Sequence, residues 1–159
     1  MAQTYEFATQ LADGQAGEQR LDRHFGQWFH IIAANEDQQR RGIDRIYLDL
    51  RDGRRWTVEY KTDHTASHTG NAFVETVSVQ TRTTRKPGWA ATSAADWLVY
   101  FLPECACAYL IRMWDLRQEL RRWAGLYPVR DVPNQGYVTR GLLVPLAEFE
   151  EIAHEVISL

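Results

Sequence analysis

Asp52-Gly53 stands between two runs rich in β-branched and aromatic residues, 42–50 (GIDRIYLDL) and 54–61 (RRWTVEYK). An Asp-Gly pair readily takes the backbone angles of a tight reversal, so this arrangement predicts an antiparallel hairpin. With those two residues as the turn, Arg51 faces Arg54, Asp44 lies opposite Lys61, and Ile46 lies opposite Glu59. Side chains alternate faces along a strand, so Asp44, Glu59 and Lys61 all project to one side, with Glu59 diagonal to Asp44. A slip of one residue would send Asp44 to the other face. Apolar residues stand on both faces, Ile46 and Leu48 on one and Ile43, Tyr47, Trp56, Val58 and Tyr60 on the other. Strands of that kind belong inside a sheet covered on both sides.

Elements of both types surround the hairpin. Residues 1–16 are polar and weakly patterned and read as a lead-in, leaving 17–159 as a single domain. Gly17 opens an amphipathic helix whose Leu21, Phe25, Trp28, Phe29 and Ile32 fall on one face, with Glu18 on the same stripe. A carboxylate at that point is either a first-turn acid favoured by the helix dipole or a site residue aimed inward. Downstream, 72–79, 97–102, 106–112 and 136–144 read as strands, 115–123 as a helix capped by Asp115, and Pro145 opens a last helix to about Ile157. The pattern is that of an α/β fold: a mixed central sheet with helices on both faces.

The bulk properties leave the chemistry open and narrow its setting. A chain of 159 residues can bury one real core but hardly two. No apolar run approaches the roughly 20 residues that span a bilayer, and the start of the chain lacks the basic and apolar regions of a signal peptide. Cys105 and Cys107, one residue apart in an apolar run, read as buried thiols rather than a disulfide framework, and the cytoplasm is the expected compartment. The net charge of −3 does not mark a nucleic-acid binder, although a local basic stripe is what phosphates feel. Of eighteen basic residues only Lys61 and Lys86 are lysine. A chain that uses arginine nearly everywhere has kept an ammonium beside the paired acids.

Two carboxylates this close repel each other, and burying them is costly unless a cation is shared between them. Magnesium takes oxygen ligands, typically one or two carboxylates, and keeps several waters. Asp44, Glu59 and the backbone carbonyl of Tyr60 form such a donor set, with manganese expected to substitute. Lys61, a compact point charge, would hold the attacking water or neutralise charge that develops during phosphoryl transfer.

Asp44, fourteen intervening residues and Glu59-Tyr60-Lys61, preceded by a helix bearing Glu18, resemble the PD-(D/E)XK nuclease superfamily. TGNAFVE at 69–75, Lys86-Pro87-Gly88-Trp89 and TSAADWLVY at 92–100 look like small phage-type endonucleases of that group. The resemblance covers roughly residues 17–112, and Ile43 stands where the family usually has proline. It implies a restriction-endonuclease-like core running helix, three antiparallel strands, helix, strand. It also implies metal binding by Asp44 and Glu59, a catalytic Lys61, and Glu18 supporting the metal or its water. The function implied is metal-dependent endonucleolytic hydrolysis of DNA. The alternative is an inactive nucleic-acid-binding or assembly module on the same fold.

Other residues are weaker candidates. Glu75 is a further acid or an ordinary strand residue, and Asp63 and His64 follow the motif closely enough to touch substrate. Arg82, Arg85 and Lys86 form the densest basic loop and are candidates for a phosphate clamp, with simple solvation the alternative. A zinc site combining His64 and His68 with the two cysteines fits no usual ligand spacing. A homodimer is left open.

Overall fold

The computed structural model describes the backbone of residues 2–159 and the side chains of residues 12–159. Met1 and the side chains of residues 2–11 lie outside the described residues. Where the sequence pattern opens a helix at Gly17, the structure has one helix, α1, over Ala2–Phe25. It also stops earlier than the apolar stripe suggests. Gly26 closes the last turn through its N–H to the Asp22 carbonyl, and Phe29–Ala33 is strand β1. A short run such as Phe-His-Ile-Ile satisfies both the helical and the two-residue period. In the strand, Phe29 and Ile31 turn towards the core, whereas Trp28 and Ile32 are exposed.

After the short helix α2 (Glu36–Arg40) come β2 (Arg45–Asp49) and β3 (Arg55–Thr62). They form the predicted antiparallel hairpin in a different register. The connection is Leu50–Gly53, with the Asp49 N–H bonded to the Arg54 carbonyl, so Ile46 faces Thr57 and Tyr47 faces Trp56. The shift from the two-residue turn is two places, which leaves every side chain on its expected face. Gly53 takes the left-handed conformation that closes the loop, φ +72°.

β3 then pairs in parallel with β6 (Trp97–Leu102), which continues to β7 (Cys107–Arg112). The six-stranded mixed sheet runs β1-β2-β3-β6-β7-β10, where β10 is Glu155–Ser158. Thus the last helix, α6 (Leu146–Ile152), ends well before Ile157, and the segment after it is an edge strand. The strand read at 72–79 does not join this sheet, whose three antiparallel strands after α1 are β1, β2 and β3. β4 (Asn71–Gln80) belongs to a second sheet ordered β5-β4-β9-β8, with β5 Arg85–Pro87, β8 Val129–Asn134 and β9 Tyr137–Pro145. Two short helices, α3 (Ala66–Thr69) and α4 (Trp89–Thr92), flank β4 and β5, and α5 (Met113–Leu126) starts from Arg112 rather than Asp115.

The β6 sequence WLVYFL explains the layering. Val99 and Phe101 face α1, packing with Leu21, Phe25, Val58 and Tyr60. Leu98, Tyr100 and Leu102 face the other way, into a core shared with α5, α6 and the inner face of the second sheet. Helices therefore cover both faces of the main sheet. No helix of the structure is long and apolar enough to cross a membrane.

Cys105 and Cys107 are bonded to each other across the turn between β6 and β7. They are not the buried thiols of the sequence reading, since Cys105 is exposed.

Glu148 ties α6 to α5, accepting from Arg122, from Trp123 Nε1 at 3.0 Å and from the Tyr127 hydroxyl. These donors, Arg122 foremost, hold its carboxyl at about 2, below its ordinary 4.5. A depressed carboxyl stabilises the fold above its unfolded value and loses that contribution as pH falls towards the folded one. Melting temperature should therefore drop between pH 4.5 and about 2, and Glu148→Gln should flatten that part of the profile. A mutant profile parallel to that of the wild type would contradict this assignment.

Candidate functional site

Strand alternation decides where the motif residues point. Val58 and Tyr60 pack under α1, so Glu59 and Lys61 face the opposite side, where β6 contributes Leu98 and Tyr100. Lys61 Nζ lies 2.7 Å from Glu59 Oε1. Glu59 is 2% exposed and Lys61 34%, so the ammonium stands between the acid and solvent. Burial pushes the Glu59 carboxyl above its usual range, against the opposing pull of Lys61 and of the nearby Ser93 hydroxyl. Its second oxygen, Oε2, is buried and has no hydrogen-bond partner among the described residues.

Asp44 immediately precedes β2, at the point where β3 runs on past the end of its neighbour. Its Oδ2 accepts the Tyr60 N–H at 2.7 Å, so the carboxylate takes the place of a strand partner along that edge. A residue's N–H and C=O leave a strand on the same side, which turns the Tyr60 carbonyl to the same edge. The approach to Asp44 is pinned from behind. Ser93 donates to the Gly42 carbonyl at 2.9 Å, and Gly42 sits at φ +73° with no room for a side chain against Ser93. The structure thus brings together Asp44, Glu59, Tyr60 and Lys61.

Glu18 is not brought to them. α1 lies under the other face of the sheet, and the Glu18 carboxylate is held by Arg45 Nη2 at 2.8 Å, while Asp22 takes Arg45 Nε at 3.0 Å. The arginine also donates to the Asp44 carbonyl oxygen at 3.0 Å. In this structure Glu18 therefore reaches the Asp44 backbone through Arg45. Its place on the helix stripe gives its facing but not the arginine that meets it there.

Asp63 is also committed elsewhere. One oxygen accepts the Thr65 and Ala66 N–H groups and the other the Tyr100 hydroxyl at 2.5 Å. Although burial opposes it, these bonds hold its carboxyl below the usual range, led by Tyr100. The residue caps α3. His64 Nδ1 lies 3.1 Å from Glu104 Oε1 and Cys105 is bonded to Cys107, so no zinc set forms. Arg82, Arg85 and Lys86 are exposed on the β4–β5 hairpin and do not line the cleft beside Lys61. Arg117 folds onto the carbonyls of Ala90 and Ser93.

That cleft, about 440 Å³, opens between the end of β3 and the outer face of the second sheet. Lys61, Asp63, His64 and Glu75 line it, together with Phe73, Trp89 and Arg130. Glu75 Oε1 receives the Trp89 N–H at 3.4 Å. Phe73 could have been read from its shared parity with Glu75 on β4. Arg130 carried no signal, because the strand around it looks like a Pro/Gly-rich loop.

Among the described residues no group of three or more histidine, cysteine, aspartate and glutamate side chains is placed to hold a metal ion. The donor set at the hairpin is smaller: two carboxylates and a carbonyl. That is enough for magnesium, which keeps waters in its remaining positions. The partnerless buried oxygen of Glu59 fits a site completed by a cation.

No protein-family model matches the chain, and no curated protein matches it. Among solved structures, the chain is similar to the bacterial homing endonuclease I-Ssp6803I, over 66% of this chain and 70% of that one, at 19% sequence identity and a TM-score of 0.49.

Proposed function

We propose that this chain is a metal-dependent endonuclease that hydrolyses phosphodiester bonds in DNA, a PD-(D/E)XK-type enzyme with its site at the β2–β3 edge. The observation that carries the reading is Glu59, whose buried Oε2 has no partner although Lys61 Nζ stands 2.7 Å from Oε1. A buried carboxylate left half-satisfied costs stability unless something else completes it. Asp44, Glu59 and the Tyr60 carbonyl are the groups that would hold Mg2+ or Mn2+. When bound, such an ion lowers the pKa of a water and polarises a phosphoryl oxygen.

The chain's own residues do the rest. Lys61, partly open to solvent, orients the attacking water and balances the charge that builds on the phosphoryl group. The Tyr60 N–H fixes the Asp44 carboxylate, and Arg45, gripped by Glu18 and Asp22, fixes the backbone beside it.

The test is a panel of labelled linear, branched and single-stranded DNA incubated with and without Mg2+. Cleavage of at least one substrate only when Mg2+ or Mn2+ is present is expected. Specific DNA binding with no cleavage under either condition would replace the enzyme with the inactive module.

A further inference from the structure

We infer that the cleft beside Lys61 takes an unpaired nucleotide, so that the substrate is DNA with single-stranded character at the cut. This rests on the nuclease reading above and deepens it by naming the substrate class.

Three observations lead there. Glu59 is 2% exposed and lies behind Lys61, so what a phosphate can reach is Lys61, in the recess that it lines. The recess is about 440 Å³, within the range of a small-ligand pocket and far too confined for a duplex. Its lining has the chemistry of a nucleotide rather than of a backbone alone. Phe73 and Trp89 offer aromatic faces, Asn71 and Thr69 offer polar groups for a base edge, and Lys61 and Arg130 offer cations for phosphate. Single-stranded nucleic acid is held by such a combination of stacking rings and positive charge.

The rings are fixed in place. Phe73 lies on the bare backbone of Gly141, where a Cβ would come within 2.6 Å of the ring. Trp89 sits below Lys61, with Nζ 5.8 Å from its ring centre, and its backbone N–H is tied to Glu75. Phe73 and Glu75 point out of the core because Ala72 and Val74, their neighbours on β4, point into it. The outer face of the second sheet therefore presents a ring and a carboxylate to the same cleft. Arg130, on β8, is exposed at its wall.

Binding can be measured without metal, so that no cleavage intrudes. The full chain would be titrated, at one fixed salt concentration, into a labelled twelve-residue thymidine oligonucleotide, a blunt duplex and the same duplex with an unpaired overhang. The single strand and the overhang are expected to bind about tenfold or more tightly than the blunt duplex. Phe73→Leu, which keeps an apolar side chain over Gly141, should weaken single-strand binding by about tenfold. Arg130→Ala, at an exposed position, should weaken it and lower its salt dependence. Unchanged melting temperatures would show that both variants fold.

Equal affinity for duplex and single strand, absence of binding to either, or a folded Phe73→Leu variant with wild-type affinity would each overturn the inference. A protein that selects single strands but never cleaves would instead overturn the endonuclease reading and leave this one standing.

Discussion

Lys61→Met is expected to slow DNA cleavage by about a hundredfold or more while leaving metal binding intact. Removing one preorganised charge from the place where negative charge develops typically costs that much in rate. The ammonium is 2.7 Å from Glu59 Oε1, so it also competes with any cation for that carboxylate. Its loss should leave Mg2+ affinity equal or higher in a calorimetric titration. Were Lys61 only a structural counter-charge, Lys61→Arg would be mild, because the charge is kept. As a catalytic group it is not replaceable by the planar guanidinium fork, which fills different space. Lys61→Arg should therefore resemble Lys61→Met. An active wild type and an equally active Lys61→Met variant would end the proposed mechanism.

Asp44→Asn should abolish both metal binding and cleavage. Asparagine can still accept the Tyr60 N–H through its amide oxygen, so the bond at 2.7 Å has a replacement and the fold should persist. What disappears is one of the two negative charges on which a hard cation depends. The expected result is a folded protein with an unchanged metal-free melting temperature, no calorimetric heat on adding Mg2+ or Mn2+, and no product with any DNA of the panel. Retained metal affinity in Asp44→Asn would move the ion away from the hairpin and take the donor set with it. The two variants fail in different ways, one with its metal and one without, and together they separate positioning of water from binding of the ion.

The motif was legible because it depends on parity. The Asp-Gly loop places its strands two residues out of the register a two-residue turn would give, yet Asp44 and Glu59 keep their facing because two is a whole period. Local alternation also marks β6, since Leu98, Tyr100 and Leu102 diverge from Val99 and Phe101 whatever their partners are. Partnership itself is not local. Nothing in Asn71–Gln80 says that it pairs with Tyr137–Pro145, more than fifty residues on, rather than with the adjacent hairpin. For the same reason Glu18 was placed on the correct helix without the partner that it meets there. Its opposite number, Arg45, is known only once α1 is laid across the sheet.

β2 begins at Arg45, while β3 continues to Thr62. Had β2 started a few residues earlier, its backbone would have paired with the Tyr60 N–H and C=O and zipped that edge shut. Because the ladder stops there, the Asp44 carboxylate accepts the Tyr60 N–H beside the recessed Glu59. Sheet stability and chemistry thus draw on the same few main-chain groups. If the proposed site is right, a change that made this sheet more regular would make the protein sturdier and silence it.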